Sequence, residues 1–500
     1  MKIQFLCIAV FTISLTSQCS GIVARPELIH HVIAANSDGL AVHPKTEEQF
    51  EPAQFAAFVN DILNAAEQLA ERRQQKVNGR LRVKVLVHVH GGLNGTEATE
   101  KRVETFADTI MNEKEDWYYP IFVRWPSGAL STYTEQVMHI RRGNRSPWWG
   151  PISAPFVFMS DLVQSLGQMP ANCYYQSMNM KERTVTFWGW NRALSKNWKD
   201  AIAASNHVNV RTSHAFSDPL ITSRNVCADV VATPVRLTLG ALCQGTIAQS
   251  AWGNMKRRTT HIVHPAPLIG NPADPDAIKE KGAGHFFDLL NKRAEQSNSG
   301  ETYSYEVYFI GHSMGAIVLN NIFTKYNRDW MRSKSIRGIT YMAAAASVNE
   351  TADAVIPLLL GYAANNVPFT FHNLTLNRVA EISERMAYGV APAGSLLEQV
   401  DQHVGGPNAM PDRTMGSEIN VLNAIHLFDE VKAYCEFKAF DFKPGYRPAT
   451  HSDFNKLPFW KPSFWSQDTV TTPNGRNYYG KRWLREYKPA QELRNPPKAR

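Results

Sequence analysis

The segment that most constrains this chain runs from Val307 to Asn321. A strand-like stretch, Val307-Tyr308-Phe309-Ile310, leads directly into Gly311-His312-Ser313-Met314-Gly315. A helix-compatible run, Ala316-Ile317-Val318-Leu319-Asn320-Asn321, leads out. Glycine on both flanks of a serine leaves room for a tight turn and for close approach of another group. A strand that turns straight into a helix is a building block of a parallel sheet, whose next strand must be reached by a crossover.

The rest of the chain repeats that rhythm. Val83 to His90 is a nearly continuous β-branched run, as expected for a strand buried on both faces. Ile121 to Trp125, Tyr305 to Ile310, Ile336 to Met342, Phe369 to Leu376 and Tyr434 to Phe442 also read as strands, with a shorter piece near Ile29 to Ala34. Helical patterns separate several of them. Phe55, Val59, Ile62, Ala66 and Leu69 form one apolar stripe, and His285 to Ala294 and Ala316 to Tyr326 have the same periodicity. Asn78-Gly79 marks a turn. Alternating strands and helices predict an α/β fold, a mostly parallel sheet flanked by helices.

One interval breaks the rhythm. Between Gly128 and Tyr303 lie roughly 170 residues, far more than the dozen or so a crossover needs. The expected organisation is an N-terminal extension over 22–80, a first core part over 81–127, an insertion over 128–302, a second core part over 303–455 and a tail over 456–500. The insertion is expected to form a cap or lid, with a helical, fairly apolar piece over Val230 to Trp252. No internal repeat or low-complexity tract is present.

The chain of 500 residues is long enough for one large core plus a cap. Met1-Lys2 followed by the apolar run Phe5 to Leu15 reads as a signal peptide over 1–21, which predicts export. Three fates are weighed: simple cleavage, lipidation at Cys19 and an uncleaved anchor. No later segment is long and apolar enough to span a bilayer. Of six cysteines, Cys173, Cys227, Cys243 and Cys435 lie beyond the signal run; they form no CxxC pair, and Cys227 with Cys243 is the most local candidate disulfide. The net charge of +8 is concentrated at the C-terminus, where ten Lys and Arg stand against three Asp and Glu from Lys456 onward. Trp460, Trp465, Tyr478, Tyr479, Trp483 and Tyr487 are interleaved with them. Two readings stay open for this tail, a wrap with its aromatics packed on the domain and a contact with an anionic membrane surface.

Gly311-His312-Ser313-Met314-Gly315 resembles the nucleophile elbow of α/β-hydrolase esterases and lipases, and His90-Gly91-Gly92-Leu93-Asn94 resembles their oxyanion loop. The resemblance covers roughly residues 80–127 and 300–455. It implies the α/β-hydrolase fold with Ser313 as nucleophile. It also implies an oxyanion hole built from the Met314 N–H and an N–H of the loop over Gly91, Gly92 and Leu93. His90 is read as a loop-orienting residue. His88 and His90 share a strand face, which admits a metal reading, but no third ligand is suggested.

The family's chain order of serine, acid and histidine places the base after the last core strand. His403, His426 and His451 compete. His451 follows the strand-like Tyr434 to Phe442 across a Pro/Gly loop and is the expected base; His426 reads as a helix residue and His403 as loop. The acid is expected after the strand Phe369 to Leu376. Glu381 comes just past that strand's turn, and Glu384, Asp401 and Asp412 follow at growing distance.

The expected activity is hydrolysis of a carboxylic ester, small-molecule or lipid, through an acyl-enzyme on Ser313, with no cofactor, no metal and no nucleic-acid partner. Two alternatives remain: an acyltransferase with the same triad, and a non-catalytic cell-envelope binding protein on a hydrolase fold. Glycosylation sequons occur at Asn94, Asn144, Asn349 and Asn373. Glycans at Asn94 or Asn373 would conflict with the loop and strand proposed there, so neither is expected to be modified.

Overall fold

The computed structural model describes residues 25–92, 96–138, 140–141, 144–145, 149–171, 173–175, 177–178, 209–212, 248–265, 280–384, 394–405, 409–440, 448–466, 470–471 and 488–489. The expected signal peptide, Leu93, Asn94, Cys227, Cys243, residues 230–247 of the expected lid helix and the four tyrosine and tryptophan residues 478–487 lie outside them.

Ten strands form the main sheet. They are β1 Val32–Ala35, β2 Ala41–Val42, β3 Lys76–Val77, β4 Arg80–Val89, β5 Tyr119–Arg124, β6 Asn209–Thr212, β7 Tyr303–His312, β8 Ile336–Met342, β9 Thr370–Leu376 and β10 Cys435–Phe440. Their order is β2-β1-β5-β4-β7-β8-β9-β10-β6, with β3 hairpinned onto β4. Every neighbouring pair from β1 to β6 is parallel, and among the described strands of this sheet only β1–β2 and β3–β4 are antiparallel. Asn78 and Gly79, both at positive φ, make the β3–β4 turn, as a two-residue hairpin demands.

Helices flank the sheet: α1 Pro52–Arg73, α2 Thr96–Asn112, α3 Ala129–Met138, α4 Gly150–Gly167, α5 Gln249–Val263, α6 His285–Ser299, α7 Gly315–Lys325, α8 Val348–Ala364 and α9 Arg378–Ser383. All of β5, and β4 from Val83 onward, are buried, so helices or loops cover both faces there. The long interval also contributes to the sheet and its flanking layer. Its strand β6 pairs with β10 at the sheet's edge. Its helix α6 packs on β7 and ties to α1 through Arg293, 2.7 Å from Glu67, whose carboxylate also accepts the Tyr305 hydroxyl at 2.8 Å.

The C-terminal stretch from Phe454 to Trp465 folds into the core, with Phe454, Leu457, Phe459, Trp460, Phe464 and Trp465 buried. Phe459 packs edge-on to Phe106 of α2, and Lys438 of β10 donates to the Phe464 carbonyl at 3.0 Å. The first part of the tail is therefore a wrap. Cys173 and Cys435 are free thiols; burial pushes the Cys435 thiol up to about 12.

Chain order and spatial order together locate the site. From β4 the chain moves to β5 on one side. From β7 it moves through β8, β9 and β10 on the other. The switch point therefore lies between β4 and β7, and in open α/β sheets ligands bind outside the carboxyl ends of the strands at such a point. The residues at those two ends are His90-Gly91-Gly92 and Ser313.

Candidate active site

Ser313 stands between the end of β7 and the start of α7 with φ +53°, a left-handed conformation that a non-glycine residue adopts at a cost of about 1–3 kcal/mol. Neighbouring strands hold it there. Its N–H donates to the Met342 carbonyl at 3.0 Å, and its own carbonyl accepts the N–H groups of Ala345 at 3.0 Å and Ala316 at 3.1 Å. The turn needs its glycines. A Cβ on Gly315 would come within 2.1 Å of the Val89 carbonyl oxygen, and one on Gly311 within 3.0 Å of the Ala316 backbone. The serine is 1% exposed, and its hydroxyl has no hydrogen-bond partner. An unpaired buried hydroxyl is costly, and such orphans mark sites of function or strain.

The loop after β4 lies directly against it. A Cβ on Gly91 would meet Ser313 Cβ at 2.6 Å, and one on Gly92 would meet Met314 Sδ at 2.5 Å. His90 fixes this loop. The Trp125 N–H donates to His90 Nε2 at 3.3 Å, so Nδ1 carries the proton and donates to the Gly91 carbonyl at 2.7 Å. Burial, reinforced by the Arg102 charge, lowers the His90 pKa to about 3 and keeps the ring neutral. With both nitrogens engaged, His90 has no lone pair for a metal. Among the described residues no group of three or more His, Cys, Asp and Glu is arranged to hold a metal ion. Met314 is the N-cap of α7, so its N–H points from a helix start that the helix itself cannot satisfy. A serine with Met314 and the Gly91-Gly92 backbone beside it can present two N–H groups to a developing oxyanion.

His451 opens a short 3-10 turn, His451–Lys456, after the last strand. It is buried, neither ring nitrogen has a partner, and burial pushes its pKa down to about 4, so the ring is a neutral base near pH 7. Its ring centroid lies 4.9 Å from that of His312, the residue before Ser313. The carbonyl of His451 can only accept, so His312 Nε2 donates to it at 3.0 Å, and Asn455 Nδ2 donates to His312 Nδ1 at 2.8 Å. His312 thus ties the serine turn to the histidine turn. Burial, then the adjacent His451, holds its pKa well below the ordinary value.

The carboxylates are placed differently from expectation. Glu381 is buried one turn into α9, where it accepts the Ser417 hydroxyl at 3.0 Å and lies 3.8 Å from Arg378. Burial and the nearby Glu398 raise its pKa well above normal. It is not bonded to His451. Asp401 is committed to Thr414 and Asn420, at 2.9 and 2.6 Å, and Asp412 to the Ala409 N–H at 3.1 Å. Glu384, just past the end of α9, is the carboxylate that meets the histidine: its Oε2 accepts the His451 backbone N–H at 2.9 Å. Burial pushes its carboxyl up to about 7. His426 is exposed on a different turn.

Sequence reasoning names one member of this cluster, Glu384, among the acid candidates and misses two, His312 and Asn455. His312 carried a signal, a polar residue in an otherwise apolar strand end, and Asn455 carried none.

Helix α5 covers the glycine loop, with Met255 Sδ 3.5 Å from the place a Gly92 Cβ would take. Its cations lie mid-helix and are paired, Lys256 with Glu350 at 3.1 Å and Arg258 with Glu135 at 2.6 Å. No protein-family model, curated protein or solved structure matches this chain.

Proposed function

We propose that this protein is a serine hydrolase on an α/β-hydrolase fold that cleaves carboxylic esters through an acyl-enzyme on Ser313. The observation that carries the reading is the conjunction at the switch point: a serine at φ +53° with an unpaired, buried hydroxyl, pressed against a Gly-Gly loop and followed by a helix start. Strain and an unsatisfied hydroxyl both cost stability, and a merely structural serine has no need of either.

In this reading Ser313 Oγ attacks the ester carbonyl carbon as a ring nitrogen of His451 takes its proton. The N–H of Met314 and an N–H of the Gly91-Gly92-Leu93 loop stabilise the oxyanion; losing one such donor typically costs about 100- to 1,000-fold. The C–O bond breaks as His451 returns the proton to the leaving alcohol. Water then adds to the acyl-enzyme with His451 again accepting a proton; the acyl C–Oγ bond breaks as His451 returns that proton to Ser313 Oγ, and the acid product leaves. Glu384 is the positioning carboxylate, fixing the turn that carries His451. The interaction is with the backbone N–H, so the ring must still rotate toward Ser313 when substrate binds; catalytic hydrogen bonds are often formed only in the complex. Helix α5 is the cover that must yield for substrate to enter. Export from the cell by the signal peptide completes the proposal.

The test is labelling of the full chain with a fluorophosphonate probe, beside Ser313→Ala and His451→Ala. Labelling of the parent that vanishes in Ser313→Ala and falls steeply in His451→Ala is the expected result. A folded parent that takes no label, with detergent present to displace α5, sinks the reading in favour of a binding protein on the same fold.

A further inference from the structure

Helix α4 is built inside out. Trp149, Ile152, Phe156, Met159, Val163 and Leu166 follow one another at intervals of three, four, three, four and three residues, which is a single helical stripe. In an ordinary surface helix that stripe faces the core. Here it faces solvent: Ile152 is 69%, Phe156 76% and Val163 64% exposed. The buried side is small and polar, with Gly150, Ala154 and Ser165 turned inward. The helix's one ionisable residue, Asp161, also turns to the protein, where it accepts the hydroxyls of Tyr133 and Ser250, each at 3.4 Å. The outward face therefore carries no charge, and a contiguous exposed apolar patch of this kind marks an interaction surface.

The chemistry beside the stripe identifies the occupant. From residue 136 to 160 there is no Asp or Glu, while Arg141 and Arg145 fall in the two-stranded hairpin just before the helix, and Trp149 caps the helix itself. Cations, then a tryptophan, then an uncharged apolar face is the order of groups met on passing from anionic headgroups into the acyl region of a bilayer. A protein partner of matching apolar shape would leave the arginine cluster unexplained. A helix of 18 residues spans about 27 Å, and it has its inward side packed on α3, so it would lie in the plane of the surface. No described helix is long and apolar enough to cross a membrane.

We infer that α4 and the arginine hairpin before it form a docking surface for an anionic lipid bilayer. The inference stands apart from the proposed catalysis, since it needs neither Ser313 nor His451. It also assigns membrane contact to α4, where sequence reasoning looked to the C-terminal tail or to Cys19.

The test is sedimentation of the full chain, without added lipid anchor, with vesicles of phosphatidylcholine alone and of phosphatidylcholine with 30% phosphatidylglycerol. Three proteins are compared: the parent, Phe156→Asp/Val163→Asp, and Arg141→Gln/Arg145→Gln. Both sets of substitutions are on surface positions or in a short hairpin, and circular dichroism checks that the fold is kept. The parent is expected to bind the anionic vesicles at least tenfold better than the neutral ones. The aspartate pair should lose at least tenfold on anionic vesicles, and the arginine variant should lose the preference for them. Equal binding by the parent and the aspartate pair would hand the contact to the tail and overturn the inference. So would no binding by the parent. Sedimentation velocity without vesicles is the companion measurement: a dimer in the parent that the aspartate pair converts to monomer would make a second copy the occupant and overturn it too.

Discussion

Gly91 lies so close to Ser313 that a Cβ placed on it would stand 2.6 Å from the serine's own Cβ, and 3.0 Å from the His312 carbonyl oxygen. Both are held by backbone, so neither can swing away. Gly91→Ala must therefore push the loop off the serine turn. We expect probe labelling and ester hydrolysis to fall by about 100-fold or more, as when an oxyanion donor is displaced, with a stability loss of about 1–3 kcal/mol from overpacking. Gly253→Ala is the control. It lies inside α5 with nothing within 4 Å of the added Cβ. It should leave labelling intact and raise stability slightly, by about 0.5–1 kcal/mol. Activity unchanged in Gly91→Ala would mean the loop takes no part.

The pairing of Glu384 with His451 predicts a pH dependence of a particular shape. The Glu384 carboxyl titrates near 7 and the His451 ring near 4, both because of burial. Labelling rate should rise through about pH 7 as Glu384 ionises and grips the His451 N–H. In Glu384→Gln that step should vanish, leaving only the rise near 4, with the plateau lowered about 10- to 100-fold by loss of position. Stability should move the other way. A carboxyl whose folded pKa is raised above its ordinary 4.5 binds its proton more tightly when folded. Its contribution is full below about 4.5 and is lost as pH rises through about 7. Glu384→Gln should flatten that slope in thermal melts taken from pH 4 to 8, whereas Glu381→Gln should not alter the labelling profile. A profile unchanged in Glu384→Gln would return the acid's role to another carboxylate.

What the sequence made legible and what it hid divide along a physical line. The strands and the Asn78-Gly79 turn were readable because burial on both faces and positive φ leave local marks. Glycines around Ser313 and at 91–92 were readable because they sit where a Cβ would meet a neighbouring group within 3.0 Å. The partner of His451 was not. Glu381 and Glu384 both follow β9 and differ by less than one helical turn. Only the place His451 takes in the folded chain decides which one it meets, and that place has no local code. Helix α4 hid for the opposite reason: its stripe is plain in the sequence, but the usual rule points such a stripe at the core, and here the small, polar face packs inward instead.

Asn373 sits in a glycosylation sequon yet lies in β9, fully buried, donating from Nδ2 to the Met415 carbonyl at 2.9 Å. Asn349, at the start of α8, is exposed. Expression in a glycosylating host should therefore leave Asn373 unmodified, as read by peptide mass mapping, while Asn349 is sterically open to modification. Asn373→Ala should destabilise by about 1–3 kcal/mol, because the Met415 carbonyl loses its buried donor. An occupied Asn373 would contradict the strand itself.

The bridge from the serine turn to the histidine turn can be measured by a double-mutant cycle. Asn455 donates to His312 Nδ1 at 2.8 Å, which leaves Nε2 as the protonated nitrogen that donates to the His451 carbonyl. Removing Asn455 frees the tautomer, so His312→Ala and Asn455→Ala should not be additive. Each single change should cost about 1–3 kcal/mol by orphaning buried groups, and the cycle should return a coupling of about 0.5–1.5 kcal/mol in urea unfolding. The same variants separate structure from function. If the bridge only supports the fold, labelling per folded molecule stays at the parent level. If it places His451, Asn455→Ala lowers labelling even under conditions where the variant is fully folded, and Asn455→Gln, whose longer side chain still carries the amide donor, restores part of it. Zero coupling would mean that the two contacts act independently and that His312 does not transmit position from one turn to the other.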